Sequence, residues 1–181
     1  AIHPATTTHS QLNEEQQAFR DTARQFAEKE LAPFAAEWDE HSTFPKDTIK
    51  RAGELGFCAL YCDPDHGGMG LSRLDAALIF EQMAAGCTST TAFITIHNMA
   101  TWMLSNFGSD TLRDQWAEGL MSGKQLASYC LTEPNAGSDA ASLSTSAKKD
   151  GGDYVLNGAK AFISGAGDTD VLVLMARTGG S

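Results

Sequence analysis

Tyr129-Cys130-Leu131-Thr132-Glu133-Pro134-Asn135-Ala136-Gly137-Ser138-Asp139 is the stretch on which the reading of this chain turns. An apolar strand end runs into a turn whose φ is set by Pro134 and which Gly137 loosens. Asn135 and Gly137 both tolerate positive φ. Such a loop can aim backbone N–H groups, with the Thr132 and Ser138 hydroxyls, at one anionic ligand. An ordinary β-turn uses the same residue types, and on chemistry alone both readings stand.

Upstream of this loop the pattern is helical. Asn13 is a good N-cap, with Gln16 at N3 and Glu14 and Glu15 at the positive helix end. Phe19, Ala23, Phe26, Ala27, Leu31 and Phe34 then recur at helical steps, and Pro33 should kink or end that helix. Pro45 suits position N1 of a second helix carrying Ile49, Ala52 and Leu55 on one face, with Gly56 as its stop. Asp63 to Gly70 is a loop by composition. Ser72 caps a third helix, with Asp75 at N3 and Leu74, Ala77 and Leu78 expected on the inner side. The uncharged run from about Thr88 to Phe107 predicts a fourth, most buried helix, ended by Gly108. Ser109 and Asp110 open a fifth with Leu112, Trp116 and Leu120. Residues 1–10 lack periodicity and are expected to form a loose tail.

Downstream of Gly123 the period changes. Tyr154 and Leu156, then Ala159, Ala161 and Ile163, alternate, and the Asp150-Gly151-Gly152 and Asn157-Gly158 pairs are hairpin signals. Val171 to Met175 is a continuous apolar run, expected as a strand buried on both faces. Helices followed by strands predict an α+β chain of two domains: an all-α bundle over 1–123, then the start of an antiparallel, barrel-like β domain over 124–181. The strand stops just before Gly179-Gly180-Ser181, which would leave an open apolar edge, so the second domain is expected to be incomplete.

Composition narrows the chemistry. The chain has 181 residues, 13 basic and 23 acidic, for a formal charge of -10. That balance opposes binding to nucleic-acid phosphates or acidic lipid, because no basic patch offsets it. The segment between Glu81 and Asp110 carries no charge, yet Gln82, His97, Asn98 and Asn106 interrupt it, which favours a helix buried in protein over a membrane span. Cys58, Cys62, Cys87 and Cys130 form no C-x-x-C pair, so free buried thiols are expected rather than a metal site. His97 on a buried helix reads more readily as a satisfied core histidine than as a catalyst.

Thr132-Glu133-Pro134, followed by Gly137-Ser138-Asp139 after an apolar strand, resembles the flavin signature of the acyl-CoA dehydrogenases. The order of the other features agrees. Leu12-Asn13-Glu14-Glu15-Gln16 opens the first helix, and Leu55-Gly56-Phe57 precedes the Gly67-Gly68-Met69-Gly70-Leu71-Ser72 loop. Asn157-Gly158-Ala159-Lys160-Ala161-Phe162-Ile163-Ser164 follows the signature. Gly86-Cys87-Thr88-Ser89-Thr90-Thr91-Ala92 and Ile96-His97-Asn98-Met99 are most similar to members acting on isobutyryl-CoA, an intermediate of valine breakdown.

The resemblance implies FAD as cofactor, lined by Tyr129, Cys130, Leu131, Thr132, Glu133, Pro134, Asn135, Ala136, Gly137 and Ser138, and by Phe162, Ile163 and Ser164. Tyr129, Leu131 and Thr132 would face the ring system, Gly137 and Ser138 its phosphates. Phe162 would lie where many relatives have Trp, and Asn135 where glycine is common. Ser138 would also meet the CoA thioester, and Thr91, Ile94 and Thr95 the acyl chain, although for each of those three alone plain helix packing is the favoured role. No metal is implied. The family's catalytic glutamate belongs to a carboxy-terminal helical domain with no counterpart here, so no catalytic residue is assigned. The implied setting is a mitochondrial matrix flavoprotein, homotetrameric at full length, that passes electrons to an electron-transfer flavoprotein. A truncated, non-catalytic acyl-CoA- or flavin-binding module, an isovaleryl-CoA enzyme and an oxygen-using oxidase are the alternatives.

Overall fold

The computed structural model describes residues 12–179. The expected tail at residues 1–10 lies outside the described residues.

Helix α1 (Glu14–Phe26) starts from a complete capping box. The Asn13 side chain accepts from the Gln16 N–H at 2.7 Å, and the Gln16 side chain accepts from the Asn13 N–H at 3.2 Å. Before Pro33 the helix widens into a π-helical turn, Ala27–Leu31, closed by the Ala32 N–H on the Ala27 carbonyl. Proline supplies no N–H and crowds the preceding turn, so the α pattern yields there. The chain then re-enters helix as α2 (Ala35–Glu40). Helix α3 (Lys46–Glu54) follows with Pro45 at its N-cap and buries Ile49 and Ala52, while Leu55 stays exposed.

Helix α4 (Arg73–Gly86) repeats the capping box with Ser72 and Asp75. Its inner face differs from the expected one. Ala76, Ile79 and Met83 are buried, Leu74 is 60% exposed, Ala77 is exposed and Leu78 half-buried. Apolar residues surround this helix on most sides, so the sequence pattern selects no face. Packing against α1 selects it instead. Helix α5 (Thr88–Phe107) has the expected bounds and is the central element, packed against α4, α6 (Asp110–Met121) and strand β1 (Ala127–Cys130). Its Asn98 is wholly buried, yet its amide is satisfied. It accepts from the Leu60 N–H and donates to the Phe57 and Ile94 carbonyls at 2.7–2.9 Å, which ties the 57–60 segment to the core.

His97 is equally buried. Its Nδ1 accepts from the Ala127 N–H at 3.0 Å, which assigns the proton to Nε2, and Nε2 donates to the Leu120 carbonyl at 2.8 Å. One imidazole thus joins α5, α6 and β1, and burial pushes its pKa down to about 4. This is a satisfied core histidine, as its place in the sequence suggests.

The β region is smaller than expected. Strands β2 (Ser146–Asp150) and β3 (Asp153–Asn157) form an antiparallel hairpin across Gly151-Gly152. Strand β4 (Val171–Leu174) pairs with β1 in parallel, Ala127 opposite Val171 through Cys130 opposite Leu174. The alternation of Ala159, Ala161 and Ile163 forms no strand, and Asn157-Gly158 closes no hairpin. Gly158 instead passes so close to Thr145 that a Cβ would lie 2.4 Å from its Oγ1. Strand β4 is not buried on both faces: Val171 and Val173 pack on Ala100, Leu120 and Ala127, while Leu172 is 56% exposed.

All four cysteines are free and buried. Among the described residues no helix is long and apolar enough to cross a membrane, and no cluster of His, Cys, Asp and Glu could hold a metal ion.

Candidate functional site

The two segments singled out in the sequence, Tyr129–Asp139 and Lys160–Ser164, lie side by side. The Ala161 N–H donates to the Thr132 carbonyl at 2.9 Å. The buried Ser128 hydroxyl donates to the Ser164 carbonyl at 2.7 Å and meets the Thr169 hydroxyl at 2.8 Å. Behind the first loop, Glu133 and Lys160 form an ion pair of 2.8 Å whose side chains are 4% and 9% exposed. Lys160 also donates to the Leu131 carbonyl at 2.9 Å. Glu133 further accepts from the Ser144 N–H and hydroxyl and from the Thr145 N–H, at 2.6–2.9 Å. Lys160, then Thr145 and Ser144, hold its carboxyl well below the usual carboxylate range.

Glu133 is therefore an internal strut, with its carboxylate committed to the protein. Its backbone closes the turn by exchanging hydrogen bonds with Ala136 at 2.9 and 3.1 Å. Asn135 and Gly137 tolerate positive φ, but neither adopts it. Gly137 also has no protein atom within 4 Å of where a Cβ would stand. Neither backbone conformation nor internal packing demands a glycine there.

The positive φ falls in the neighbouring segment instead. Phe162 has φ +56° and is 94% exposed. A large aromatic side chain held outward on a left-handed backbone is strained as well as solvated, a combination concentrated at ligand sites. The turn that carries it is anchored to the helical part. A Cβ on Gly165 would fall 2.6 Å from the Phe93 ring of α5, and Asp168 pairs with Lys46 at 3.2 Å.

The remaining expected residues are less uniform. Tyr129 packs with Val171 and Val173 over Ala100 and Leu120, Cys130 and Ala136 are buried, and Leu131 and Thr132 are half-buried. Pro134, Asn135, Gly137, Ser138 and Ser164 are exposed, and Ile163 is half-buried. On α5, Ile94 and Thr91 are buried and Thr95 is half-buried, its hydroxyl donating to the Ala92 carbonyl at 2.7 Å. Among the described residues the buried Thr91 hydroxyl has no hydrogen-bond partner. Burial raises the Cys130 thiol pKa, against the opposing effect of Lys160, and pushes Cys58 and Cys62 up to about 12. These thiols are neutral and unreactive. Sequence reasoning missed the structural parts of Ser128, Lys160 and Glu133. Lys160 stands inside the quoted Asn157–Ser164 motif, but spacing does not reveal a partner 27 residues away.

A helical domain whose central helix packs on β1, with two hydrogen-bonded segments side by side beyond it, defines the class of chain. It belongs to the acyl-CoA dehydrogenase family: the family model for the acyl-CoA dehydrogenase N-terminal domain matches residues 13–124, and that for the middle domain matches 128–181. Among its relatives is mitochondrial isobutyryl-CoA dehydrogenase of Bos taurus, 53% identical over 93% of this chain and 41% of that protein. Another is the enzyme of the same name from Dictyostelium discoideum, 51% identical over 93% of this chain and 40% of that protein. The solved FAD complex of PigA superposes with a TM-score of 0.88 at 31% identity, over 94% of this chain and 45% of that one. The chain thus spans about two fifths of the length of the curated relatives it matches.

Proposed function

We propose that this chain supplies the flavin-facing and part of the acyl-facing structure of an FAD-dependent dehydrogenase that converts a short branched acyl-CoA, isobutyryl-CoA above all, to its 2,3-enoyl product. The observation that carries the proposal is the juxtaposition of Thr132 with Ala161, which makes one cleft of two segments far apart in sequence. The flavin reading fits two further features. Gly137 is a glycine that the fold itself does not require, and Phe162 is a strained, outward aromatic. A close approach by an anionic group explains the first, and stacking on a flat ring the second.

In this reading Tyr129 to Ser138 and Phe162 to Ser164 hold FAD, with Gly137 and Ser138 nearest its phosphates. FAD, when bound, accepts the hydride from the acyl β-carbon. In this reading the Ser164 hydroxyl would donate to the ring as charge develops. On the same reading Thr91, Ile94, Thr95 and Ser138 contribute to the acyl-CoA side, and among the described residues the buried Thr91 hydroxyl has no hydrogen-bond partner within the chain. No residue of this chain is assigned as the base. Electron-transfer flavoprotein as acceptor, a homotetrameric whole protein, the mitochondrial matrix and a domain boundary at 123/124 complete the proposal; the relatives' names support the mitochondrial setting, and the start of β1 at Ala127 supports the boundary.

The deciding experiment compares isobutyryl-, isovaleryl- and butyryl-CoA as substrates for the product of the complete gene. The expected result is the highest kcat/KM for isobutyryl-CoA, with no hydrogen peroxide released. A preference for another thioester overturns the substrate, and peroxide formation overturns the dehydrogenase. The 181-residue chain alone is expected to give no turnover and to bind FAD weakly or not at all.

A further inference from the structure

The Glu133–Lys160 pair does more than fill a buried space. It touches both halves of the cleft at once. Glu133 belongs to the first loop and receives three donors from residues 144–145 behind it. Lys160 opens the second segment and reaches back past Glu133 to the Leu131 carbonyl. One residue further on, the Ala161 N–H binds the Thr132 carbonyl. Two consecutive carbonyls of the first loop are thus captured by two consecutive residues of the second.

This capture has a directional consequence. In a trans peptide the N–H points opposite to the C=O of the same plane. With the Leu131 carbonyl held by the Lys160 ammonium, the Thr132 N–H is turned away from Lys160. Among the described residues it donates to no backbone acceptor. Phe162, two residues from Lys160, is held at positive φ between the Ala161 bond and the Ser128–Ser164 bond.

We propose that Glu133 and Lys160 act as a positioning pair, which orients the Thr132 N–H and the Phe162 backbone toward the cofactor by locking the two segments in register. The proposal rests on the flavin reading above. Neither residue touches the reacting atoms. Their effect is to preset donors and an aromatic wall that would otherwise be ordered only on binding.

The test uses the product of the complete gene, stripped of flavin and titrated with FAD, alongside hydrogen exchange of the apo protein. For Lys160→Met, FAD affinity is expected to fall at least tenfold, and the Ala161 and Ala136 amides to exchange faster together, with the Asn98-tied core unchanged. Lys160→Arg, which keeps the charge, should recover most of the affinity, and Glu133→Gln should weaken FAD in the same direction. The double substitution Glu133→Gln/Lys160→Met should be no worse than Lys160→Met alone, because the pair acts as a unit. Unchanged FAD affinity in folded Lys160→Met, additive single effects, or faster exchange in only one segment each overturns the proposal. Should Lys160→Met fail to fold, Lys160→Arg and Glu133→Gln decide by the same two readouts. If the unsubstituted protein binds no FAD, the flavin reading fails, and with it the proposed role toward the cofactor. Joint exchange of the two segments would then establish a structural lock only.

Discussion

Phe162 concentrates the tension between folding and function in one residue. Its positive φ is a region that glycine and asparagine enter readily and that β-branched residues resist. In the flavin-free chain, Phe162→Gly and Phe162→Asn are therefore expected to match or exceed the parent in urea stability, by up to about 1 kcal/mol. Phe162→Val is expected to fall below it by a similar amount. An order with Val on top would show that the left-handed backbone is not the governing factor. His97 makes the complementary case, a polar residue held for stability. Its pKa is about 6.5 in the unfolded chain and about 4 in the fold. The unfolded chain therefore binds the proton more readily. The stability His97 contributes is complete above pH 6.5 and is lost as pH falls toward 4, a difference of about 3 kcal/mol. The Glu133 carboxyl, depressed in the fold, adds acid sensitivity in a separate window, starting below the ordinary carboxylate pKa. Urea unfolding from pH 7.5 to 4 should show the histidine phase, and His97→Gln should remove it while lowering stability at neutral pH, since two buried backbone partners lose their geometry.

At the scale of elements, the two capping boxes form one device. Gln16 at N3 of α1 donates through its side-chain amide to Asp75 at N3 of α4, at 2.9 Å. Asp75 in turn accepts from the Ser72 hydroxyl and N–H at 2.6 and 3.1 Å, and these bonds, the Ser72 hydroxyl first, lower its pKa. Loss of Asp75 thus removes a cap and a tie between helices. Asp75→Ala is expected to cost about 1–2 kcal/mol by chemical denaturation, and Gln16→Ala less. Both boxes were legible in the sequence, because an N-cap and its N3 partner sit three residues apart. The bounds of α5 were equally legible, since an uncharged run between two breakers has one helical solution. The buried face of α4 was not, because an all-round apolar helix carries no phase. Nor was the course of residues 158–170, where long-range ties to Thr132, Ser128, Phe93 and Lys46 replace a strand ladder. Glu133 read as part of a cofactor loop and is a strut, and only its partner 27 residues away explains why.

Among the described residues, apolar surface is exposed in several places. Tyr154, Val155 and Leu156 are each more than half exposed on the β2–β3 hairpin, Phe162 projects from the cleft, and Phe107, Leu112 and Leu172 are exposed beside one another. The last three rim a groove of about 470 Å³ between the end of α5, α6 and β4, floored by Leu104, Trp116 and Val173. Monomeric soluble proteins seldom leave several such patches uncovered. The isolated 181-residue chain is therefore expected to enhance the fluorescence of an apolar dye and to self-associate in sedimentation, with Leu172→Lys reducing both. A monodisperse, dye-negative chain would show that these surfaces are too fragmented to act together.

The parallel pairing of β1 with β4 also governs when the cleft can exist. Ala127 and Val171 are 44 positions apart, and both candidate-site segments lie in the chain between them. Helices α4, α5 and α6 can consolidate through nearer contacts, but the pairing of the two segments must wait until that long loop closes. During synthesis, β1 and the first loop emerge well before their partner and spend that interval with an unsatisfied edge. In refolding followed by pulsed hydrogen exchange, the α5 amides should gain protection first and Ala161 last. Chaperone dependence of this chain should accordingly trace to the time taken to reach Leu174.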